Sequence, residues 1–536
     1  MSDPQSDLVF LTGFMGTGKS TIGRRLAERL SATFVDLDAR LAADFGKPIA
    51  QVFAELGEST FRSREKATLL RLIDESRGPV VFSLGGGALL DRELRLRVLD
   101  AGTVLCLTAS PDEILRRTRG DASIRPLLAA PDPKARVLEL LEARASAYAE
   151  CHATLSTDGK NPAELVELAL KVLARKTIAV ASGLDSYQVE VGAGLIGERL
   201  GAQVKSATGI VLVTDENVGP LYEEGARRAL EGHGPSVKIV RLKPGEEYKT
   251  VQSMEAIWNA AYEAELDRKG LFVGLGGGVV TDMTGFAAAT WVRGVRWVGI
   301  PTTLLSMVDA SVGGKTAVDF GLAKNAVGAF WQPSSVLCDV TALRTESERA
   351  YIGALSEVVK TALIGDPDLL TLLEERADLV KARDEATLIE VVRRSVRVKA
   401  RVVGLDPRES GLRATLNLGH TLGHAMESAG GYSRFTHGEA VSLGLVAALR
   451  LGVLLGRTPP ALRDRVVALL ARLGLPHKFD KELLEASVPL LGRDKKRAGT
   501  KINFIFAHGA GDVRVEPIEL TELAASSPKL ADGAHS

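Results

Sequence analysis

The stretch LVFLTGFMGTGKST, residues 8–21, places an apolar run before a glycine-rich turn and a lysine. The run LVFLT predicts a buried strand, and the residues after the turn, KSTIGRRLAERLSA, have the apolar spacing of an amphipathic helix. The turn matches G-x-x-x-x-G-K-[ST], in which glycines let backbone N–H groups point inward at phosphates. The start of the helix adds partial positive charge there. The stretch therefore predicts a nucleoside triphosphate site in which Lys19 reaches the outer phosphates and Ser20 binds Mg²⁺.

The composition of the whole chain limits the classes of function. Its 536 residues are too many for a single hydrophobic core, so several domains are expected. The content of 45% hydrophobic and 25% charged residues is ordinary for a soluble protein. Basic and acidic residues balance at 67 each, so no overall field recruits nucleic acid or an anionic membrane. The three cysteines form no C-x-x-C pair, which favours a reducing cytosol over a disulfide framework. The start MSDPQSDLVF does not have the pattern of a signal peptide, and no apolar run reaches about 18 residues. We expect a soluble, cytoplasmic protein.

The pattern along the chain predicts an α/β protein with several domains. Residues 1–170 alternate short apolar runs with amphipathic stretches, which indicates a parallel sheet in a P-loop NTPase-type domain. The alternation restarts after a turn and a helix at 160–177, and it continues over 177–340 with many glycines. Helical patterns dominate 341–525. We expect three domains with these bounds.

A second informative stretch, LNLGHTLGHAMESAGGYSRFTHGE at 416–439, holds His420, His424 and His437. The first two histidines are four residues apart, on one face of a helix. That pair fits a metal site, a proton relay or a polar helix face, and it is not the H-E-x-x-H of metalloproteases. The third histidine favours a metal site, because catalytic zinc usually takes three protein ligands and keeps an open position.

Polar clusters at predicted strand ends mark further candidate ligand-binding loops in the second part of the chain. GLGGGVVTDMTGFAAA alone is a weak signal for a dinucleotide, since it lacks the usual G-x-G-x-x-G context. It is joined by TDENV, PGEEYKT, PTTLLSMVDASVGGKTAVD and GLAKNAVGAF. Ligands of open α/β sheets bind in such loops, at the carboxyl ends of strands.

Residues 7–155 resemble shikimate kinase in DLD, TFRSRE, SLGGG, IRPLL and ARASAY. The resemblance implies ATP-dependent phosphorylation of shikimate to shikimate 3-phosphate, with Asp38 as the base at the acceptor hydroxyl. It also implies that Arg125, on a lid, meets the transferring phosphoryl group. Positioning and positive charge are what phosphoryl transfer requires, and forked guanidinium groups suit a carboxylate acceptor. The implied ATP and Mg²⁺ site comprises Gly16, Gly18, Lys19, Ser20, Thr21 and Arg117, and the shikimate site comprises Asp38, Arg62, Gly85, Gly86, Gly87 and Arg144. The sequence departs from the family's R-x-P-L-Y pattern after Arg144, where Ala-Ser-Ala precedes Tyr148.

Residues 177–520 resemble 3-dehydroquinate synthase, in the clusters above together with LSEVVK and the histidine stretch. The resemblance implies a Rossmann-like NAD-binding subdomain, a helical metal-binding subdomain, and a homodimer formed through this part. It assigns Glu357, His420 and His437 as ligands of Zn²⁺ or another divalent metal such as Co²⁺, and leaves His424 to handle protons. The implied NAD site comprises Asp215, Asn217, Glu246, Lys249, Gly277, Gly278, Asp282, Thr302, Thr303, Asp309, Lys315, Lys324 and Asn325. The implied substrate site comprises Lys360, Lys399, Arg413, Asn417, Lys495 and Lys496.

The implied synthase reaction converts 3-deoxy-D-arabino-heptulosonate 7-phosphate into 3-dehydroquinate with release of phosphate. NAD⁺ is regenerated, the metal acts as a Lewis acid, and Lys315 and Arg413 orient the phosphate. The family's T-L-P-x-R-E pattern is replaced by TESERA, so Ala350 stands in place of the glutamate near the adenosine end of NAD. This departure predicts an altered cofactor affinity.

Two alternatives compete with this bifunctional interpretation. The second part could be another sugar-phosphate cyclase or a metal-dependent polyol dehydrogenase, although a dehydrogenase has no need for so many phosphate-facing cations. The first part could be an inactive kinase that senses nucleotide, against which the intact Lys19, Ser20, Asp38 and Arg125 argue.

Overall fold

The computed structural model describes residues 7–118, 131–204, 206–321, 323–407, 411–431, 434–493, 497–498 and 501–531. These residues form two compact units, Met1–Gln188 and Val189–Ser536. Each unit contains a parallel sheet with helices, and the second ends in a largely helical region. The α/β class predicted from the sequence is confirmed.

The first unit is built on a five-stranded sheet with the order β2-β3-β1-β4-β5, and all its pairings are parallel. Central β1 is the LVFLT run, and all five of its residues are buried. Its alternate side chains enter different cores: Phe10 stacks on Phe82 at 5.0 Å between ring centroids, and Leu11 packs with Leu26 of the helix that follows. The strands are β1 (Leu8–Thr12), β2 (Thr33–Asp36), β3 (Val80–Ser83), β4 (Thr103–Thr108) and β5 (Ala153–Ser156).

Helices cover both faces of this sheet, as parallel strands require. The first helix begins at Lys19, after Gly18 in the left-handed conformation at φ 86°, which a glycine adopts without strain. The long third helix is interrupted at Gly57, where φ is 78°. The helices are α1 (Lys19–Leu30), α2 (Leu37–Phe45), α3 (Ile49–Glu75), α4 (Arg92–Ala101), α5 (Pro111–Thr118), α6 (Pro133–Ala149) and α7 (Pro162–Leu173), followed by the short strand β6 (Ile178–Val180).

The second unit contains a sheet in which β7, β14, β11, β10, β8 and β9 are neighbours in that order. The central strands are buried and pair in parallel, so their carboxyl ends meet at one edge. Strand β7 begins within the first unit and continues into the second. The strands are β7 (Tyr187–Gly192), β8 (Ile210–Asp215), β9 (Val237–Leu242), β10 (Leu271–Gly276), β11 (Arg296–Pro301), the antiparallel hairpin β12 (Lys315–Phe320) and β13 (Ala323–Phe330), β14 (Ser335–Asp339), and the small antiparallel sheet β15 (Arg497–Ala498), β16 (Lys501–Gly509) and β17 (Asp512–Glu519).

Thirteen further α-helices belong to the described part of this unit. Four of them, α8 to α11, accompany the parallel sheet, and the others form the helical region. They are α8 (Leu195–Arg199), α9 (Gly219–Glu231), α10 (Val251–Glu263), α11 (Gly278–Thr290), α12 (Glu348–Gly365), α13 (Pro367–Glu375), α14 (Ala377–Lys381), α15 (Glu385–Leu405), α16 (His420–Ala429), α17 (His437–Leu454), α18 (Pro460–Leu473), α19 (Lys481–Ser487) and α20 (Leu520–Ser526).

Helix α17 is the one helix among the described residues whose length and composition alone would let it span a membrane. It is not an uninterrupted apolar run, because it contains His437, Glu439 and Arg450. Within the fold, however, 72% of the helix is buried, and it packs against α12, α16 and α18. A helix that is apolar nearly all round is expected at the centre of a large helical region, and α17 is such a core helix.

Candidate active sites

The first site forms around the turn between β1 and α1. Lys19 curls back over this turn, and its Nζ donates to the carbonyl oxygens of Gly13 and Phe14 at 2.9 and 3.0 Å. Ser20 Oγ donates to Asp36 Oδ2 at 2.6 Å. A lysine held over a glycine-rich turn at a helix N-terminus provides the charge and the N–H groups that phosphates bind.

Glycines form the opposite wall because charged side chains approach it closely. A Cβ atom on Gly85 would lie 2.8 Å from Glu65 Oε1 and 2.9 Å from Asp38 Oδ1. A Cβ atom on Gly87 would lie 2.4 Å from Arg62 Nη2. The glycine run therefore leaves room for two carboxylates and a guanidinium group to point at the same space.

Three arginines surround this space with defined partners. Arg62 donates to Glu65 Oε2 at 2.6 Å, Arg144 donates to the Gly86 carbonyl at 3.3 Å, and Arg117 donates to Gly16 at 3.3 Å. Burial raises the pKa of Glu65, and Arg62 opposes that rise. Guanidinium groups fixed by such contacts are preorganised to receive carboxylate or phosphate oxygens.

A cavity of about 620 Å³ brings together all the residues predicted for ATP and shikimate within the described part of the first unit. Arg125 lies outside the described residues. Sequence reasoning missed Glu65 and Tyr148, although Glu65 follows Arg62 by three residues, the spacing of an ion pair on a helix. Tyr148 donates its hydroxyl to the Gly86 carbonyl at 2.7 Å.

The second site lies where α12, α16 and α17 meet. Nε2 of His420 and Nε2 of His437 lie 3.4 and 3.5 Å from Oε1 of Glu357. One ligand atom from each of the three residues lies within 4.8 Å of those from the other two. The three side chains come from different helices, and the fold brings them together as the sequence analysis expects of a metal site.

Glycines set the spacing of these helices. A Cβ atom on Gly438 of α17 would lie 2.2 Å from the Gly353 carbonyl oxygen of α12. A Cβ atom on Gly444 would lie 2.1 Å from the Gly419 carbonyl oxygen and 2.7 Å from Gly423 N of α16. The backbones of the three helices touch at these points, so the ligands they carry are held close together.

The protonation of the cluster follows from its burial and its charges. Burial disfavours the charged form of Glu357, but Lys360, His420 and His437 outweigh that effect and hold its pKa well below the usual value. Burial and Lys360 lower the pKa of His420 well below its usual range. Burial acts against the charged form of His437, yet Glu357 and Glu427 raise its pKa to about 9.

The donor set fits a divalent cation. Oε1 of Glu357 is buried and accepts no hydrogen bond, although a buried carboxylate oxygen normally does. Nδ1 of His420 lies 3.2 Å from the Leu418 carbonyl oxygen, and donation to that oxygen leaves Nε2 free to bind a metal. Two imidazole nitrogens and a carboxylate with an open position are typical of catalytic zinc.

His424 has a different environment from the two predicted ligands. Its side chain is exposed, while its ring centroid lies 5.2 Å from that of His420 and 5.7 Å from that of His437. With Glu427 and His437 it forms a second group of donor atoms within 4.8 Å. His424 therefore differs from the predicted ligands in its exposure to solvent, although its ring lies next to theirs.

A cavity of about 720 Å³ next to the cluster is lined by cations. Lys399 Nζ donates to Asp309 Oδ1 at 2.5 Å, and Lys360 forms an ion pair with Glu357. Burial lowers the pKa of Lys399, and Asp309 opposes the change; burial acts against ionisation of Asp309, but Lys399 and Lys360 keep its pKa low. The predicted residues that line this cavity are Asp282, Asp309, Lys315, Lys324, Asn325, Lys360, Lys399, Arg413, Asn417 and His420.

Lys249 links two of these lining residues. Its Nζ donates to Asp282 Oδ2 at 2.6 Å and to Asn325 Oδ1 at 2.5 Å. Burial raises the pKa of Asp282 to about 6, and the nearby charge of Lys249 works against that rise. Three residues predicted separately for NAD thus form one hydrogen-bonded group around the buried Lys249.

The remaining residues predicted for NAD lie at strand ends, as ligands of open sheets require. Asp215 ends β8 and accepts hydrogen bonds from the N–H groups of Asn217 and Val218 at 2.8 and 2.9 Å. Glu246 is exposed in the loop after β9. Gly277 and Gly278 follow β10, and Thr302 and Thr303 follow β11. Lys495 and Lys496 lie outside the described residues.

Sequence reasoning missed Glu346, which supports the Thr302–Thr303 turn. Its Oε2 accepts a hydrogen bond from Leu304 N at 3.0 Å. Burial raises the pKa of Glu346 to about 7, opposed by that hydrogen bond and by Arg383. Glu346 lies within TESERA, whose Ala350 is exposed in the first turn of α12.

Comparisons with known proteins cover both units. The shikimate kinase family model matches residues 15–174, and the N-terminal and C-terminal models of 3-dehydroquinate synthase match 239–353 and 354–497. The 3-dehydroquinate synthase of Citrifermentans bemidjiense is 43% identical over 351 residues, which cover 65% of this chain and 96% of that protein.

Two solved structures share the fold of the second part. A 2-epi-5-epi-valiolone synthase from Streptomyces hygroscopicus subsp. jinggangensis, with NAD⁺ and Zn²⁺ bound, is 28% identical with a TM-score of 0.58. The match covers 64% of this chain and 96% of that one. A 2-deoxy-scyllo-inosose synthase, complexed with carbaglucose-6-phosphate, NAD⁺ and Co²⁺, is 23% identical with a TM-score of 0.60, covering 66% of this chain and all of that one, which indicates the fold alone.

Proposed function

We propose how two active sites work in this chain, which belongs to the 3-dehydroquinate synthase family and carries a shikimate kinase domain at its N-terminal end. The kinase domain phosphorylates shikimate with ATP, and the synthase part converts 3-deoxy-D-arabino-heptulosonate 7-phosphate into 3-dehydroquinate. The domain bounds that we propose are 1–170 for the kinase, 177–340 for the NAD-binding subdomain and 341–525 for the helical subdomain.

In the kinase site, the residues divide between the two substrates. Lys19 and the turn around it hold the ATP phosphates, Ser20 holds Mg²⁺, and Arg117 lies at the nucleotide. Arg62 and Arg144 bind the shikimate carboxylate, and Asp38, beside Gly85, accepts the proton of the attacking hydroxyl. The observation that carries this assignment is the single cavity lined by the phosphate turn, Asp38 and both arginines.

The synthase site holds a divalent metal, Zn²⁺ or Co²⁺, through Glu357, His420 and His437. When bound there, the metal supplies Lewis acidity to a pair of substrate hydroxyls, and NAD⁺ supplies a reversible hydride acceptor. The NAD-binding residues of this chain are those at the ends of β8, β10 and β11 together with the Lys249 group. The observation that carries the assignment is the buried, unbonded Oε1 of Glu357 between two imidazole nitrogens at the edge of a cation-lined cavity.

The cations of that cavity orient a substrate that carries a doubly anionic phosphate and a carboxylate. Lys360, Lys399 and Arg413 are all buried, so their interactions with phosphate and carboxylate oxygens are little screened by solvent. Lys315 and Asn417 also line the cavity. His424 is placed to move a proton between the reacting carbon and solvent, since it is exposed and yet adjacent to the metal ligands.

The chain works as a cytoplasmic homodimer formed through the synthase part. The hairpin β12–β13 supports a dimer, because Phe320 and Phe330 on it are 65% and 58% exposed beside residues that line the cavity. Phe330 lies at the base of the hairpin, opposite Lys315, and Phe320 lies next to its turn, so a partner that covers both would contact the length of the hairpin. Light scattering is expected to give twice the mass of one 57.0 kDa chain, and the mass of a single chain would contradict the dimer.

The test of the synthase is phosphate release from 3-deoxy-D-arabino-heptulosonate 7-phosphate by the whole chain with NAD⁺, with and without a chelator. We expect metal-dependent phosphate release without accumulation of NADH. Absence of release, or NADH that accumulates with substrate loss, would indicate another cyclase or a dehydrogenase. Shikimate-dependent formation of ADP tests the kinase in the same preparation.

A further inference from the structure

Residues 178–188, between the last kinase helix and the second unit, are bound into the kinase. We call them the joining segment. Ala179 and Ala181 are buried in the same hydrophobic core as Phe14 and Tyr148 of the kinase site. The match to the shikimate kinase family model ends at residue 174, so this segment lies beyond what that family model describes.

The joining segment has an ordered turn of its own. Ser182 N donates to Ser186 Oγ at 2.9 Å, and Ser186 Oγ donates to the Gly183 carbonyl at 2.6 Å. Gly183 has φ 65°, and a Cβ atom on it would lie 3.2 Å from Ser146 Oγ of α6. The turn therefore depends on a glycine, both for its left-handed backbone and for its close approach to α6.

A buried carboxylate joins this turn to the end of α6. Glu150 follows the last residue of α6, and its side chain is completely buried. It accepts hydrogen bonds from Arg95 Nε at 2.5 Å, from Arg92 Nη1 at 2.6 Å and from Gly183 N at 2.8 Å. A buried charge is stable only with such a complete set of partners, so the N–H group of Gly183 is a structural requirement.

A further hydrogen bond ties the segment to the same place. Gln188 Nε2 donates to the carbonyl oxygen of Cys151, the residue after Glu150. The length of this bond is 2.7 Å. The segment thus contacts the chain at two successive residues directly after α6.

The end of α6 determines one wall of the acceptor pocket. Arg144 and Tyr148, one turn apart on α6, both donate to the carbonyl oxygen of Gly86. The guanidinium carbon of Arg144 also lies 5.4 Å from the ring centroid of Phe14 in the phosphate turn. A shift of the C-terminal end of α6 would therefore move an arginine and a glycine of the shikimate site together.

We propose that the joining segment is a positioning element of the kinase, which fixes the end of α6 and through it Arg144 and the Gly86 turn. The inference rests on the proposed function, in which Arg144 and Gly86 bind shikimate. Its consequence is specific: a disturbed segment weakens shikimate binding more than ATP binding, because Arg144 and Gly86 belong to the shikimate site, whereas the phosphate turn is reached only through the ring of Phe14.

A matched pair of glycine substitutions in the full chain tests the proposal. Gly183→Ala strains a left-handed residue and crowds Ser146. Gly159→Ala strains a nearly identical backbone, at φ 67°, with no atom within 4 Å of the added Cβ. We expect Gly183→Ala to raise the KM for shikimate about fivefold, the equivalent of one lost hydrogen bond. The KM for ATP should change less than the KM for shikimate, and the synthase activity of the same chain should not change. Gly159→Ala should leave the KM for shikimate unchanged.

Equal KM values for shikimate in the two variants would overturn the proposal, as would a Gly183→Ala variant in which both KM values rise alike. Gln188→Ala provides a test without backbone strain, because it removes only the hydrogen bond to Cys151. If Gly183→Ala unfolds the kinase, this second variant decides: a raised KM for shikimate alone supports the proposal, and an unchanged KM refutes it. Arg144→Lys distinguishes a failure of this proposal from a failure of the proposed function. An unchanged KM for shikimate in that variant would contradict the proposed function of the kinase site.

Discussion

The two active sites of this chain differ in how they present charge to an anionic substrate. The kinase site uses a glycine-rich turn, backbone groups and arginines that rest on carbonyl oxygens. The synthase site uses lysines buried against carboxylates, together with a carboxylate–histidine cluster at the junction of three helices. The first arrangement needs one short segment and a few neighbours, whereas the second needs ligands from elements far apart in the sequence. The comparison teaches that the synthase site depends more strongly on tertiary packing.

Loss of the predicted metal site should produce the largest difference between the activities of the two active sites. Glu357→Gln removes the one carboxylate ligand while it keeps the size of the side chain. We expect synthase turnover to fall roughly 10⁴-fold, because Lewis-acid catalysis supplies several kcal/mol. Shikimate kinase activity of the same preparation is the control, and metal content after dialysis shows whether the ion is lost. Full synthase activity in a metal-free variant would contradict the assignment.

The kinase site should respond most to the loss of its base. Asp38→Asn keeps the shape of the side chain and removes its ability to accept a proton, so we expect kcat for shikimate phosphorylation to fall about 10³-fold. Asp44→Asn, at the other end of α2, is the matched control, since Asp44 is exposed and pairs with Arg40. A variant at Asp38 with full kinase activity would refute its proposed role.

The stability of the synthase part should be sensitive to substitution of its buried lysines, whereas the kinase site relies on arginines that rest on carbonyl oxygens. Lys399→Met leaves the carboxylate of Asp309, whose side chain is 37% exposed, without the lysine it pairs with. Because solvent screens this carboxylate, the loss in free energy of unfolding should be about 2 kcal/mol, less than for a fully buried pair. Asp309→Asn in the same chain should restore part of that loss. Urea denaturation measures both, and Lys381→Met, on the exposed surface of α14, should change little. Equal effects of the Lys399 and Lys381 substitutions would show that the burial of Lys399 and its pairing with Asp309 do not contribute to stability.

Asp282 should make the stability of the synthase unit depend on pH. Its pKa of about 6 in the folded state lies above the value of about 3.9 expected when unfolded. The folded state therefore binds the proton more tightly, and the resulting stabilisation is present below pH 4 and lost as the pH rises to 6. Asp282→Asn should flatten this slope, by about 2 kcal/mol over the interval. Denaturation curves at pH 4, 5 and 6 test it, and an unchanged slope would assign the effect to other groups.

The smallest expected effect concerns Ala350. Ser347 caps α12 and accepts a hydrogen bond from Ala350 N, so a glutamate at 350 would complete a capping box. We expect Ala350→Glu to raise the free energy of unfolding by about 0.5 kcal/mol and to change the affinity for NAD⁺. Calorimetric titration with NAD⁺ measures the second effect. Loss of the stability gain when Ser347→Ala is added would confirm its cause.

The sequence predicted best what local patterns encode. The phosphate turn, the α/β class and the approach of His420 to His437 follow from contiguous motifs, and the structure agrees with them. It could not predict Glu65 or Glu346, because their importance comes from burial against residues distant in sequence. The hydrogen-bonded group of Lys249, Asp282 and Asn325 was predicted only as separate residues, since their separations along the chain carry no information on contact. The joining segment was missed for a related reason: residues from 177 on were assigned to the NAD-binding subdomain, and the contacts of Gly183 and Gln188 with the end of α6 join residues that are distant in sequence.

The glycine contacts between α12, α16 and α17 have a consequence for the evolution of metal preference. The distance between the two imidazole groups is set by how closely the helix backbones approach, at Gly353, Gly419, Gly423, Gly438 and Gly444. A lineage could therefore adapt to a larger or smaller ion without altering any ligand. Replacement of one of these glycines by a larger residue, with compensating changes nearby, would increase the distance between the two imidazole groups. Selection for a different available metal would then change the glycines at the helix contacts, and a comparison of the ligand residues alone would not detect it.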